Sequence, residues 1–297
     1  MDLAALEIFK AVAEHGGVNK AAARLHRVPS NVTTRVKQLE DRLGTQLFVR
    51  EGGRLTLSGE GRVLLGYASE LLRLSSEARA AMATGKPRGT LRIGALESTA
   101  AARLPAVLSR YHRLYPEVQI ELITGTSGAL VNRVLARELE AAFVAEPFNA
   151  AGLEGQTAFT EEIVLVTPRG HARVRAPRDL GTLTVIAFAN GCSYRRRLEA
   201  WLGGAKLHPA QVMEFQSYHA ILACVAAGTG IAVVPRSVLG LTPARAQLNV
   251  TRLPAAIAQT RTQLVWRSGH HSTPLEMLKP LALLQSTAGT AARSSRV

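Results

Sequence analysis

The sequence predicts an α/β protein with a separate helical head, and three observations carry that expectation. Residues 18–50 pattern as two short helices joined by a tight break and followed by a strand. One long amphipathic helix then runs from about residue 59 to Thr84. From Leu91 onward, short apolar strands alternate with helices, which implies parallel sheets.

The head begins with a helix marked by Leu3, Leu6, Phe9, Val12 and Ala13 and ended at Gly16-Gly17. Asn19 can cap the next helix, in which the small Ala21 and Ala22 permit close crossing beside Leu25. For the third helix two starts stay open, Pro29 at the first helical position or Ser30 as the cap. Val32, Val36, Leu39 and Leu43 form its apolar stripe. Gln46–Arg50 and Leu55–Leu57 read as strands joined by a turn over 51–54, a two-stranded wing with Arg54 at its tip.

The long helix carries Val63, Leu64, Tyr67, Leu71, Leu74 and Ala78 near coiled-coil spacing, a seam that calls for a second copy of the chain. Gly85–Gly89 is a hinge. Strands are expected at 91–95, 118–123, 141–145, 163–166, 183–188, 212–215, 231–234 and 263–266. Helices are expected through Leu104–Tyr111, Leu130–Leu135, Tyr194–Leu202, Tyr218–Ala227 and Pro274–Leu284. Two such sets suggest two lobes with a cleft between them.

Formal net charge is +14 over 297 residues, a balance that attracts polyanions. Residues 20–54 alone hold eight basic side chains against three acidic ones, so the excess is dense in the helical head. The third helix opens with Pro29, Ser30, Asn31, Thr33, Thr34, Arg35 and Lys37, whose amide, hydroxyl and cationic groups suit base edges and phosphates. An asparagine favours adenine, while Arg35 or Arg50 suits guanine or phosphate. Arg54 at the wing tip suits a minor groove. Together these features predict a helix-turn-helix bound to double-stranded DNA.

Cys192 and Cys224 have no metal spacing and no disulfide framework. The amino terminus runs straight into an amphipathic helix, and no apolar run is long enough to span a bilayer, so a cytoplasmic, reduced chain is expected. Walker-type loops, a G-x-S-x-G elbow and paired metal spacings are missing, and His270-His271 reads as a solvated loop pair. No catalytic residues, metal or cofactor are therefore expected. A solute-binding protein would share two lobes but needs an export signal. A passive chromosome-architectural protein would not need the second half.

The ordered set Leu6, Phe9, Val12, Ala13, Ala21-Ala22, Leu25, Leu39-Glu40, Leu43-Gly44, Leu47-Phe48, Arg50, Leu55-Thr56 and Gly61 resembles the LysR-type transcriptional regulators. Ala226–Ile231 with Val234-Pro235 resembles the family's late glycine turn, and the likeness covers about residues 1–285. Val28–Arg35 departs from the family's usual Ser-Gln-Pro step and is similar to a subgroup that includes a regulator of putrescine utilisation. The resemblance implies a winged helix-turn-helix domain over 1–58 (helix-turn-helix at 18–37) and a linker helix and hinge over 59–88. It also implies an effector-binding domain of the periplasmic-binding-protein type, with lobe I over 89–161 plus 267–297 and lobe II over 162–266.

Carried over by position, the effector site falls on Glu97, Ser98, Thr99, Thr126, Ser127, Gly191, Cys192, Ser193, Thr229 and Gly230. The residues themselves give a reason, since helix amino termini with hydroxyls suit an anion. Glu97 would instead suit an amine, and Cys192 at a helix start would tend toward a lowered thiol pKa. The family implies a homodimer through the linker helix, extended to a tetramer, with RNA polymerase as a further partner. A redox- or ligand-independent regulator is the alternative, and an enzyme on an α/β scaffold the more distant one.

Overall fold

The computed structural model describes residues 1–51, 54–82, 87–181 and 184–291. The chain divides into two compact units, Met1–Gly85 and Lys86–Val297.

The first unit is built from α1 (Leu3–His15), α2 (Val18–Arg24), α3 (Pro29–Leu43), the antiparallel pair β1 (Phe48–Glu51) and β2 (Arg54–Leu57), and α4 (Gly59–Met82). Asp2 caps α1 by accepting the Ala5 N–H at 2.8 Å, which holds its carboxyl below the usual carboxylate range. Gly16 ends α1 in the left-handed region at φ 68°. The cap of α2 is Gly17, with Asn19 inside the helix, so the expected asparagine cap does not form. Pro29 takes the first position of α3, after Val28 and without a side-chain cap, which decides against Ser30.

α4 belongs to this unit rather than to a separate linker beginning at residue 59, because one of its faces is committed to the head. Leu64, Leu65, Ala68 and Leu72 pack with Leu6, Phe9, Leu39 and Leu47. Its start is fixed by Ser58, whose Oγ accepts the Gly61 N–H at 2.8 Å and donates to the Gln46 carbonyl at 2.7 Å.

The second unit comprises β3 (Gly89–Ala95), α5 (Glu97–Ala102), α6 (Leu104–Leu114), β4 (Val118–Thr124), α7 (Ser127–Leu135), β5 (Ala141–Ala145) and β6 (Leu153–Pro168). It continues with β7 (Thr184–Ala187), α8 (Ser193–Gly204), β8 (Gln211–Glu214), α9 (Tyr218–Ala226) and β9 (Ala232–Pro235). The last elements are β10 (Leu248–Arg252), the short α10 (Ala255–Ala258), β11 (Gln259–Arg267) and α11 (Thr273–Ala291).

The main sheet runs β10-β6-β11-β5-β3-β4, with β9 also on β6. β3 is parallel to β4 and β5, and β11 returns antiparallel between β5 and β6. Ala141 and Phe143 face a core with Leu91, Ile93, Tyr111, Leu275 and Leu278, while Ala142 and Val144 meet Leu130 and Val134 of α7. This period of two, apolar on both sides, is what a doubly covered strand requires. A second core gathers Val164, Val166, Ile186, Leu198, Leu222 and Val234.

β6 was expected as a strand of four residues and instead extends over 16, with its early part on β11 and its late part on β9 and β10. β11 corrects the expected lobe boundary at 266/267. From Thr262 to Trp266 it pairs with β5, and its Leu264 and Trp266 enter the first lobe's core, so residues 262–266 belong to lobe I. β10, spelled Leu-Asn-Val-Thr-Arg, was not anticipated because its apolar content is low.

Candidate DNA-binding face and effector cleft

In the head, α2 and α3 meet through a turn in which His26 adopts φ 52° and Arg27 donates its N–H to the Ala22 carbonyl at 2.9 Å. Val32 and Val36 of α3 are buried with Ile8, Ala11, Val12, Ala21 and Ala22, and Leu39 is buried with Phe9 and Leu47. Leu43, expected on the same stripe, is exposed. Pro29, Ser30, Asn31, Thr33, Thr34, Arg35 and Lys37 all lie exposed, with Ser30, Thr34 and Lys37 most nearly opposite the buried stripe. The Thr33 hydroxyl donates to the Pro29 carbonyl at 3.0 Å, so the hydroxyl is engaged locally and the methyl is the group left for an apolar contact, such as a thymine methyl.

Glu40 has a role the sequence did not reveal. Its Oε1 accepts the N–H groups of Leu47 and Phe48 at 2.7 and 3.2 Å, tying the end of α3 to the start of the wing. Arg50 is exposed on β1, paired with Leu55. Arg54 opens β2 opposite Glu51, but its side chain and the turn at 52–53 lie outside the described residues.

In the second unit, the loops at the carboxyl ends of β3, β4 and β7 meet the amino termini of α5, α7, α8 and α9. They form a narrow cleft, placed as ligand sites at parallel-strand ends are. Its lining includes Glu97, Thr126, Cys192 and Ser193 from the expected set. Leu96, Gly125, Phe188, Tyr194 and Tyr218 complete it and were missed. Phe188 and Tyr218 are packed ring against ring, 4.8 Å between centroids. Aromatic residues just beyond a strand or at a helix start were the available signal, but each also fitted a core position.

Ser98, Thr99 and Ser127 are buried. The hydroxyls of Ser98, Tyr194 and Thr262 cluster there with geometry too poor for well-formed bonds. Ser127 accepts the Ala145 N–H and donates to its carbonyl, both at 3.1 Å, and Ser193 donates to the same carbonyl at 2.7 Å. These serines therefore fasten α7 and α8 to β5 rather than standing ready for a ligand. The Gly191 carbonyl accepts the Gly128 N–H at 3.5 Å, closing the amino end of α7.

Thr229 and Gly230 do not line the cleft. Thr229 donates its N–H to the Cys224 carbonyl at the end of α9. A Cβ on Gly230 would stand 2.4 Å from the Thr184 carbonyl oxygen, so that glycine serves a close backbone crossing into β9.

Burial pushes the Cys192 thiol up, outweighing the N–H groups of Arg195 and Tyr194, which is opposite to the lowering expected at a helix start. Alkylation of Cys192 by iodoacetamide at neutral pH should therefore be slower than that of free cysteine and should accelerate only toward alkaline pH. Mass spectrometry of the two cysteine peptides over time checks this. His270 is likewise not solvated: it is buried 3.6 Å from Glu140.

Desolvation raises the Glu97 carboxyl, with Tyr218 N–H and His219 acting in the other direction. A carboxyl whose folded pKa is raised favours the fold while protonated, and that advantage fades as pH rises through the carboxylate range. Glu97→Gln should consequently melt higher than the wild type at pH 7, with the difference shrinking toward pH 4. Thermal unfolding across that pH range is the measurement.

Comparison with known proteins agrees with both halves. The family described as bacterial regulatory helix-turn-helix protein, lysR family, matches residues 3–62, and the LysR substrate binding domain matches residues 84–278. The HTH-type transcriptional regulator GltR of Bacillus subtilis is 40% identical over 80% of this chain and 81% of its own. An uncharacterized HTH-type regulator of that organism, YusT, is 38% identical over 90% of both chains. These relatives do not support the putrescine-utilisation likeness of Val28–Arg35.

Full-length CbnR complexed with its target DNA superposes with TM-score 0.71 at 23% identity, covering 96% of this chain and all of that one. A full-length OxyR cysteine variant from Pseudomonas aeruginosa gives 0.70 at 23% identity, covering 96% and 95%. At these identities the two structures speak to the fold. The chain belongs to the LysR family of transcriptional regulators, with a DNA-binding helix-turn-helix domain and an effector-binding domain.

Proposed function

We propose that α3 reads operator DNA with Ser30, Asn31, Thr33, Thr34, Arg35 and Lys37, that Arg50 and Arg54 steady the wing on the backbone or minor groove, and that the cleft receives the effector. The observation that carries this reading is the exposed polar side of α3 above a back buried through Val32, Val36 and Leu39. Removing an amide that reads a base costs about 1–3 kcal/mol and relaxes preference at that position, whereas removing a phosphate-binding lysine weakens all sequences alike and flattens the salt slope. Asn31→Ala should therefore change sequence preference, and Lys37→Ala should lower affinity uniformly. Binding titrations on operator variants at several salt concentrations separate the two. Equal losses on every sequence for both variants would remove base reading from Asn31.

Two copies would join through the exposed stripe Val63, Tyr67, Leu71 and Leu74 of α4, with tetramers built from such pairs. Leu64, expected on that seam, faces the head's own core instead. Paired α3 helices would then meet half-sites about one helical turn apart or multiples of it. Among the described residues no helix is long and apolar enough to cross a membrane. A cytoplasmic chain working at promoters with RNA polymerase fits this role. Footprints with and without ligand test the control: a protection pattern unchanged by every compound that binds the protein would remove the effector from the mechanism.

A further inference from the structure

Resting on the reading of the cleft as the effector site, we propose that the effector is a small organic ammonium compound, its cationic head held by Glu97 and the rings of Phe188 and Tyr218. Despite the chain's +14 charge, no lysine or arginine lines this cleft among the described residues, and Glu97 is the one carboxylate among them that does. Glu97 Oε1 accepts only a long contact from the Tyr218 N–H, 3.4 Å, while Oε2 is buried with no hydrogen-bond partner. A half-desolvated carboxylate with a vacant acceptor oxygen is stabilised by a cation and penalised by an anion. Phe188 and Tyr218 line the same cleft, and a cation that reaches an aromatic face gains cation–π attraction. Tyr194 and Tyr218 hold their phenols neutral, since burial raises both, so they add no charge.

Two of the four helix starts at the cleft are already occupied from within the chain. The α7 amino end is filled by the Thr126 hydroxyl and the Gly191 carbonyl, and that of α9 by Glu97. The nearby arginines of α8 are bound as well. Arg195 holds Glu199 and Glu214, Arg196 holds the Pro147 carbonyl, and Arg197 holds the Glu146 carbonyl. His219 is the titratable group on the far side of Glu97, in the smaller cavity that both line.

The test compares n-butylammonium chloride with sodium butyrate, matched in size and opposite in charge, on the full-length protein by calorimetric titration and thermal shift. The ammonium should bind saturably and raise the unfolding midpoint of the wild type. Glu97→Gln should weaken it at least tenfold, and Glu97→Asp, which keeps the charge, should retain most of the affinity. Butyrate should not bind. Tighter binding of butyrate, or an unchanged ammonium affinity in Glu97→Gln, overturns the ammonium class while leaving the cleft as the effector site. Binding of neither salt overturns the class too. The broader reading is tested separately by Thr126→Trp, which should plug the cleft and abolish ligand-dependent changes in the operator footprint. A footprint response intact in that variant would sink the cleft itself.

Discussion

Gly61→Ala should be the most damaging single-methyl addition in the DNA-binding unit. A Cβ at this position in the first turn of α4 would lie 2.1 Å from the Leu47 carbonyl oxygen and 3.0 Å from Leu57 Cδ2. The obstacle is backbone at the entry to the wing, and the same oxygen accepts the Ser58 N–H at 2.9 Å, so it cannot give way without losing that bond. Overpacking a close contact costs about 1–3 kcal/mol and occasionally more, and this case belongs at or above the upper end. For a domain of this size each kcal/mol moves the midpoint by about 4–8 °C. The transition of the amino-terminal unit should therefore fall by about 12 °C or more, with the second unit unaffected. Gly66→Ala in the same helix is the control: nothing lies within 4 Å, and replacing an exposed helical glycine should stabilise by up to about 1 kcal/mol. Calorimetry on the full chain decides; a Gly61→Ala protein melting with the wild type would refute the close approach.

The second large effect is expected on assembly. Val63 and Tyr67 are 62% and 64% exposed and stand on one stripe with Leu71 and Leu74, on a helix whose other apolar face is already occupied. Burying a large apolar side chain contributes about 1.5–3 kcal/mol, so this stripe is a substantial part of any pairing energy. A carboxylate placed in it would be desolvated without a partner, at a cost of several kcal/mol. At about 1.4 kcal/mol per tenfold, Tyr67→Glu with Leu71→Glu should weaken self-association more than about 100-fold. Light scattering should show half the wild-type mass, and operator affinity should fall in parallel because one head then has to bind alone. An unchanged mass would assign pairing to another surface.

The head was the more legible part of the sequence. Its burial alternates with helical period, so Val32, Val36 and Leu39 announced which side of α3 faces in and which faces out. What sequence could not show is that the linker helix has two apolar stripes serving different partners. Leu64 and Val63 are neighbours in the chain, yet only the tertiary fold assigns the first to the head. In the second unit the helix–strand alternation revealed the architecture, while the early part of β6 and the place of the returning β11 depended on which strands pair. That choice is made by distant residues such as Phe143 and Trp266.

The lining of the cleft was partly legible for a similar reason. Loop positions after parallel strands follow from topology, which located Glu97, Thr126, Cys192 and Ser193. Whether a serine there is free depends on atoms far away in sequence, and the Ala145 carbonyl claims both Ser127 and Ser193. Gly230 carried the same ambiguity: a turn glycine looks alike whether a ligand or another backbone comes near it.

One strand is common to both lobes. β6 gives its first ten residues to one sheet and its last six to the other, and β11 lies along the first of these, with a shift in pairing between Thr262 and Gln263. Such lobes do not swing like two plates on a loose loop. Any movement around a guest must flex a ribbon whose edges are already bonded, and the ladder is locally interrupted only between Thr262 and Gln263 among the described pairs of β6 and β11. The pairing therefore leads us to expect a small, stiff twist in response to a guest rather than a wide opening and shutting.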